Sequence, residues 1–366
     1  MPAQRLLDRL DQLATVGADP GGGVSRIAFS AEDVAARDLA AEWMSDAGLT
    51  VEVDAATNLI GRRQGRRPDA PAIAIGSHLD SVRGGGPLDG AYGVVAAIEA
   101  AATCGQLDHP IAVVAFSNEE GAVAPPGFTG SKAIAGLPVE ISMVVDQTGG
   151  TLGDAIAGAG GRPAALGSCA WPPGAVAAFV ELHIEQGPVL EHTGAGLGVV
   201  DSITGRLLID VDIVGRASHA GTTPMNARSD ALLAAAHVIV AVHDLASAGQ
   251  TRVATAGLIE CHPNLHNVVA GTVRVGVDIR DESDAQVLAC ADQLQRRATA
   301  IAATCGVSLS CRRGPLTNAV PSDPALTAGS QLIDESRRAP PAAKPEIAIT
   351  PSAARTAIGT ATGSRY

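Results

Sequence analysis

In the stretch GSHLDSVRGGGPLDGAYG, His78 and Asp80 stand two residues apart, and Asp89 follows in a glycine-flanked loop. An imidazole beside carboxylates is the donor set of a divalent cation, because a ligating histidine needs an acceptor for its second ring nitrogen. A surface loop with a helix N-cap at Asp89 accounts for these three residues equally well. The stretch FSNEEGA adds Glu119 and Glu120. Adjacent carboxylates repel unless a cation shares them. One can then ligate while the other takes a proton from water, a division of labour that suits hydrolysis. An isolated Glu-Glu pair is more commonly a solvated acidic turn. In ELHIEQGPVLE, His183 closes an apolar run, with Glu185 and Gln186 behind it. A lone histidine there is more often structural. Three apolar runs that each end in a histidine or carboxylate carry the metal reading.

Those runs must be strands that end together. Ala72–Ile75 and Ile111–Phe116 are short, apolar and separated by the Ala-rich helical stretch Ala91–Ala102, the signature of a βαβ unit. Ala177–Ile184 is the next strand candidate, and ligands gather at the carboxyl ends of such strands. Helices at the N-terminus and at Ala31–Ala47 and a strand at Leu49–Val53 precede them, while GGTLGDAIAGAGGRP reads as loop with broken helix. The basic run Gly61–Arg67 reads as the close of an exposed hairpin. After Asp201 the texture changes. Strands at Leu207–Val214, Val253–Ile259, Thr272–Asp278 and Val307–Cys311, with helices at Ser229–Leu245 and Asp284–Thr304, give the order of a split-βαβ domain. From about Arg337 periodicity is lost in a Pro/Ala/Thr-rich tail.

Composition narrows the function classes. The 366 residues carry a net charge of −12 with 2% aromatics and no long basic run, which argues against a nucleic-acid binder. The 46% apolar content supports a sizeable core of Ala, Val, Leu and Ile. Ala231–Val242 falls short of the ~20 residues a membrane helix needs. MPAQRLLDRLDQLATVG lacks the apolar run of a signal peptide, and six scattered cysteines without a CxxC pair read as reduced thiols. A cytoplasmic protein without membrane or nucleic-acid partners is expected.

GSHLDS…LDGAYG, NEEG, ELHIEQGPVLE, ASHAGTTPMNARSDAL and PNLHNVVAG…VDIRD together resemble the N-carbamoyl-L-amino-acid hydrolase and allantoate amidohydrolase family, the amidase branch of the zinc-dependent exopeptidase-like superfamily. The resemblance runs from about Asp54 to Asp281 and weakly to Ala325. It implies an α/β, zinc-exopeptidase-like catalytic domain with an inserted split-βαβ, ferredoxin-like lid and dimerisation domain. The expected boundaries are 1–203 for the first catalytic portion, 204–315 for the lid and 316–366 for an incomplete return with a disordered tail. The resemblance further implies two divalent ions per subunit (Zn, Mn, Co or Ni) bridged by Asp89. His78 and His183 complete one site and Glu120 the other. Glu119 is the general base and Asp80 orients His78. In the lid, His219 polarises the scissile carbonyl, and Asn267 and Arg280 grip the substrate carboxylate, with Gln186 as a nearby polar contact. The implied protein is a homodimeric amidohydrolase of ureido acids such as N-carbamoyl-L-amino acids, allantoate or ureidopropionate. Its rivals are an aminoacylase or dipeptidase of the same superfamily and a non-catalytic, dimeric or ligand-binding remnant.

Two features of the family pattern are missing after Val320: a Ser-Gly-Ala-Gly-His-Asp-type segment and a late histidine for the second metal. The last histidine is His266. The sequence leads to the expectation of a C-terminally truncated or altered chain with a weakened second metal site and impaired activity.

Overall fold

The computed structural model describes residues 2–124, 127–145 and 148–328, with the backbone of 346–348. It divides into two compact units: the first runs to Asp201 and resumes at Ser322, and the second is Ser202–Pro321.

In the first unit, α1 (Pro2–Ala14) carries Leu6, Leu10 and Leu13 at helical spacing, and Leu13 is fully buried. Helix α2 (Ala31–Asp46) starts at Ser30, whose hydroxyl oxygen accepts from the Asp33 N–H at 3.2 Å. Strands β1 (Thr50–Val53) and β2 (Leu59–Arg63) form a hairpin. They lead into β3 (Ala72–His78), α3 (Ala91–Thr103), β4 (Ile111–Phe116) and β5 (Val176–His183). The sheet order is β1-β2-β4-β3-β5, and the short strand Glu346–Ala348 adds antiparallel to β5. Strand β3 runs parallel to both β4 and β5. Its central neighbour β4 is buried for five residues in a row, as a strand covered on both faces must be. Val94, Val95 and Ile98 of α3 pack with Leu59, Val113 and Ala115 into the core on one face.

The basic run does not close a hairpin. The β1–β2 turn is Asp54–Asn58, held by the Asp54 carboxylate, which accepts from the N–H groups of Ala56 and Asn58. Arg62 and Arg63 belong to β2, and the Arg66 and Arg67 N–H groups bind the carbonyls of Leu107 and Asp108. A carboxylate that satisfies two turn donors outcompetes the arginines as the turn signal. The glycine-rich passage condenses into a helix at Leu152–Gly158, begun by a Thr151–Asp154 capping box, and a 3-10 turn at Pro163–Cys169.

The second unit contains β6 (Ser202–Ile203), β7 (Gly205–Val214), β8 (Ser218–His219), the helix α4 (Ala231–Ser247), β9 (Val253–His262), β10 (Val268–Val269), β11 (Thr272–Asp281), α5 (Asp284–Cys305), β12 (Ser308–Arg313) and β13 (Val320–Pro321). Its main sheet is antiparallel in the order β12-β7-β11-β9, the arrangement of a split-βαβ sandwich. Both helices cover one face through Ala235, Val238, Val242, Leu294 and Ala298. The pairing of β13 with β6 lies beyond the strands the sequence pattern picks out. The tail expected from about residue 337 lies outside the described residues except for the strand Glu346–Ala348. No helix among the described residues is long and apolar enough to cross a membrane.

Candidate metal centre

Because β3, β4 and β5 are parallel, their carboxyl ends share one edge of the sheet, and His78 lies in register with Phe116. His78 and His183 are the last residues of β3 and β5, and Glu119 and Glu120 follow β4. Asp89 arrives just before α3. Gly90, the residue after it, sits at φ 62°, and a β-carbon there would collide with the His78 ring. The position demands glycine for space as well as for conformation.

One ligand atom from each of His78, Asp89 and His183 lies within 4.8 Å of the others. His78 Nδ1 lies 2.9 Å from the Asp80 carbonyl oxygen, and His183 Nδ1 lies 2.8 Å from that of Ile184. A carbonyl only accepts, so each Nδ1 carries a proton and donates, and Nε2 turns inward, with a free lone pair whenever the ring is neutral. His183 Nε2 is 3.1 Å from Asp89 Oδ1. His78 Nε2 is 3.6 Å from Glu119 Oε2 and 4.0 Å from Asp89 Oδ1. A lone pair facing an anionic oxygen is repulsive unless a proton or a metal ion lies between them.

Asp80 orients His78 through its main chain. Its carboxylate stands 3.9 Å from Nδ1 and instead accepts from the N–H groups of Glu119 (3.1 Å) and Glu120 (3.2 Å). The carboxylate thus fixes the start of the Glu-Glu turn. Gln186, held at φ 56°, donates from Nε2 to Asp89 Oδ2 at 2.7 Å. Asp89 Oδ1 is buried without a well-directed donor.

Charge at the site is lopsided. Burial pushes Glu119 up to about 7, against the pull of His78 and with help from Asp80, Glu120 and Glu181. Burial likewise raises Glu120, Glu181 and Asp80 above the usual carboxylate range. Burial works against a charged His183, yet the Asp89 contact, the Ile184 carbonyl and Glu181 together raise it to about 9. His78 is raised too: Glu119 and Asp80 overcome its burial. Asp89 is held low, chiefly by His183. Five carboxylates therefore crowd two imidazoles. This donor set, with two inward Nε2 atoms and the underbonded Asp89 Oδ1, fits a divalent cation.

Glu181 is the member that the sequence reading overlooks. It lies two residues before His183, on the same face of β5, and accepts from the Ser77 hydroxyl at 2.5 Å. The signal was present in ELHIEQ as strand periodicity.

The remaining predicted residues belong to the second unit. His219 and Asn267 are neighbours there: His219 pairs with Val268, and the Ala220 N–H binds the Asn267 carbonyl at 2.9 Å. His219 Nδ1 accepts from the Gly221 N–H at 3.0 Å. Both side chains are exposed beside the Thr272 end of β11, where the Gly215 N–H binds the Gly271 carbonyl. Arg280 sits at the other end of the same strand, about 27 Å away at the rise of an extended chain. Its guanidinium pairs with Asp278 at 2.9 Å, and Asp278 also pairs with Arg206.

Comparison with known proteins places these units in a family. Residues 58–147 match the peptidase family M28 model, and residues 202–304 match a peptidase dimerisation domain. An N-carbamoyl-L-amino acid amidohydrolase of Geobacillus stearothermophilus is 45% identical over 283 residues, covering 76% of this chain and 69% of that enzyme. A crystal structure of a hydantoinase/carbamoylase-family amidase from Burkholderia multivorans superposes with a TM-score of 0.83 at 33% identity, over 95% of this chain and 89% of that one. The chain belongs to the hydantoinase/carbamoylase family of amidases.

Proteins of other activities are also similar. An allantoate deiminase of Arabidopsis thaliana is 34% identical over 87% of this chain and 66% of its own length. The aminopeptidase PepT of Bacillus cereus, at 14% identity and a TM-score of 0.55, shares the fold alone. The M28 match spans His78, Asp80, Asp89, Glu119 and Glu120, while the dimerisation-domain match falls wholly within the second unit.

Proposed function

We propose that this chain is a metal-dependent amidohydrolase that cleaves the linear amide C–N bond of an N-carbamoyl-L-amino acid or a related ureido acid such as allantoate or ureidopropionate. The carbamoyl substrate and one water give the amino acid, carbon dioxide and ammonia. The observation that carries the reading is the pair of inward-facing Nε2 atoms on Asp89, in a member of an amidase family.

His78, Asp89 and His183 hold one divalent ion, and Asp89 with Glu120 offers ligands to a second. Among the described residues this second set is carboxylate only, and Zn, Mn, Co and Ni are the candidate ions. A bound dication supplies positive charge that polarises the scissile carbonyl and acidifies water. Glu119 takes the proton from the attacking water. Burial makes the Glu119 carboxyl a readier proton carrier than an exposed one, so it can accept that proton and return it to the leaving ammonia. Asp80 fixes Glu119 by gripping its N–H. Arg280 offers a planar fork to the substrate carboxylate, Asn267 adds hydrogen bonds to it, and His219 polarises the carbonyl. Gln186 is a polar contact at the edge of the site.

The separation of His219 from Arg280 along β11 supports a homodimer in which the two ends of one lid serve different active sites. The six cysteines are all unpaired, which suits a reducing cytoplasm.

Ammonia release from N-carbamoyl-L-amino acids and allantoate, with added Zn or Mn and a chelator control, tests the proposal. Chelator-sensitive release supports it. Release of a fatty acid from N-acyl-amino acids instead would favour the aminoacylase, and no release from folded, metal-loaded protein would favour the non-catalytic remnant.

A further inference from the structure

We propose that Arg26 is a positioning residue for the metal centre, anchoring a strap that sets the spacing of His78, Asp80 and Asp89. The inference rests on the metal reading above. Arg26 is completely buried. Its Nε donates to the Leu79 carbonyl at 2.9 Å, between His78 and Asp80, and its Nη1 donates to the carbonyls of Leu13 and Val16 at 3.3 Å. The Arg26 main chain engages the next residues of the same loop. Its N–H donates to Ser81 Oγ, and the Ser81 N–H donates to its carbonyl, each at 2.9 Å. Two residues earlier, Val24 and Gly85 exchange a pair of main-chain bonds at 2.9 Å. Gly23, at φ 79°, lies so close to Gly84 and Gly85 that a β-carbon would strike their carbonyls. Residues 23–26 therefore run like an extra strand along the loop that joins His78 to Asp89.

A buried guanidinium is a costly way to fill space. Replacing a whole buried ion pair by apolar side chains is often neutral or stabilising, but removing one member alone leaves its partners uncompensated, and the buried Asp33 and Asp80 both favour the Arg26 charge. Among the described residues Arg26 Nη2 has no hydrogen-bond partner, so one end of the guanidinium lies outside the hydrogen-bond network. What its geometry secures is the Leu79 carbonyl. The flanking Asp80 carbonyl receives the His78 Nδ1 proton and the Asp80 carboxylate holds Glu119 and Glu120, so a shift of this segment moves a metal ligand and the base together.

Full-length Arg26→Met, Arg26→Lys and Ser81→Ala proteins test this by zinc titration against a chromophoric chelator and by the visible spectrum of the cobalt-loaded proteins. We expect Arg26→Met, which strips the donor from three carbonyls, to unfold at a lower temperature than the wild type and, where folded, to bind zinc about tenfold more weakly with altered cobalt bands. Arg26→Lys, which can still donate to Leu79, should recover part of the affinity. Ser81→Ala, which loosens the strap without touching the guanidinium, should weaken zinc in the same direction, and it carries the test if Arg26→Met fails to fold. Wild-type zinc affinity and cobalt bands in the folded variants overturn the inference. The underlying metal reading fails separately, if His78→Ala and His183→Ala leave zinc binding intact.

Discussion

His183 and Asp89 face each other with Nε2 only 3.1 Å from Oδ1, while the other ring nitrogen of His183 is committed to the Ile184 carbonyl. The gap between them holds a proton or a metal ion, and the two compete. The His183 pKa of about 9 lies above its ordinary value near 6.5, so the charged ring stabilises the metal-free fold. That stabilisation is complete below pH ~6.5 and is lost as pH rises through about 9; it amounts to at most about 3 kcal/mol. Urea midpoints of chelated protein should fall between about pH 6 and 9.5, and His183→Gln should flatten the trend. Zinc affinity should climb over the same interval as the proton leaves.

Glu119→Gln keeps the shape of the side chain and removes its basicity. Turnover should drop by ~10²- to 10⁴-fold with KM little changed. Zinc stoichiometry should match the wild type, since Glu119 lies outside the tight ligand cluster. Loss of zinc in this variant would reassign Glu119 from base to ligand.

Gly90→Ala places a methyl group against the His78 ring and forces a residue with a β-carbon to φ 62°. At ψ −46° the backbone lies near the strained classic γ-turn rather than in the left-handed helical region, which costs an L-residue about 1–3 kcal/mol. Relief of the collision requires the imidazole to move, so zinc binding should fall more steeply than thermal stability does. Equal, small changes in both would show that the loop yields instead.

Arg280→Lys preserves charge but not the fork. A tenfold or greater rise in KM for carboxylate-bearing substrates is expected, with Arg280→Ala worse, each tenfold being about 1.4 kcal/mol. Thermal midpoints should barely move, because the guanidinium is about half exposed and, among the described residues, tied only to Asp278.

Strand β9 is an outermost strand of the second unit's main sheet and carries Leu258 and Ile259 exposed in succession. An uncovered apolar edge invites a second copy. Leu258→Lys together with Ile259→Asp should convert a dimer to monomer in light scattering, and activity should fall with it if the two ends of one lid serve different sites.

The sequence by itself determined the order of the main strands and helices, the change of periodicity after Asp201, and which side chains have the types and spacing to do chemistry. Short apolar runs that end in His78, in Glu119 with Glu120, and in His183 are local facts, and local facts survive without coordinates. The tertiary structure alone decided how those ends meet. Parallel pairing of β3 with β4 and β5 brings residues from three distant segments to one edge, and no spacing along the chain encodes that register. It also assigned atoms where the sequence could only assign residues. Asp80 serves His78 through its carbonyl and the Glu-Glu turn through its carboxylate. Glu181 and Arg26 stayed hidden because burial, not residue type, makes them significant: an arginine at position 26 or a glutamate in a strand reads as a surface charge until packing removes the water around it.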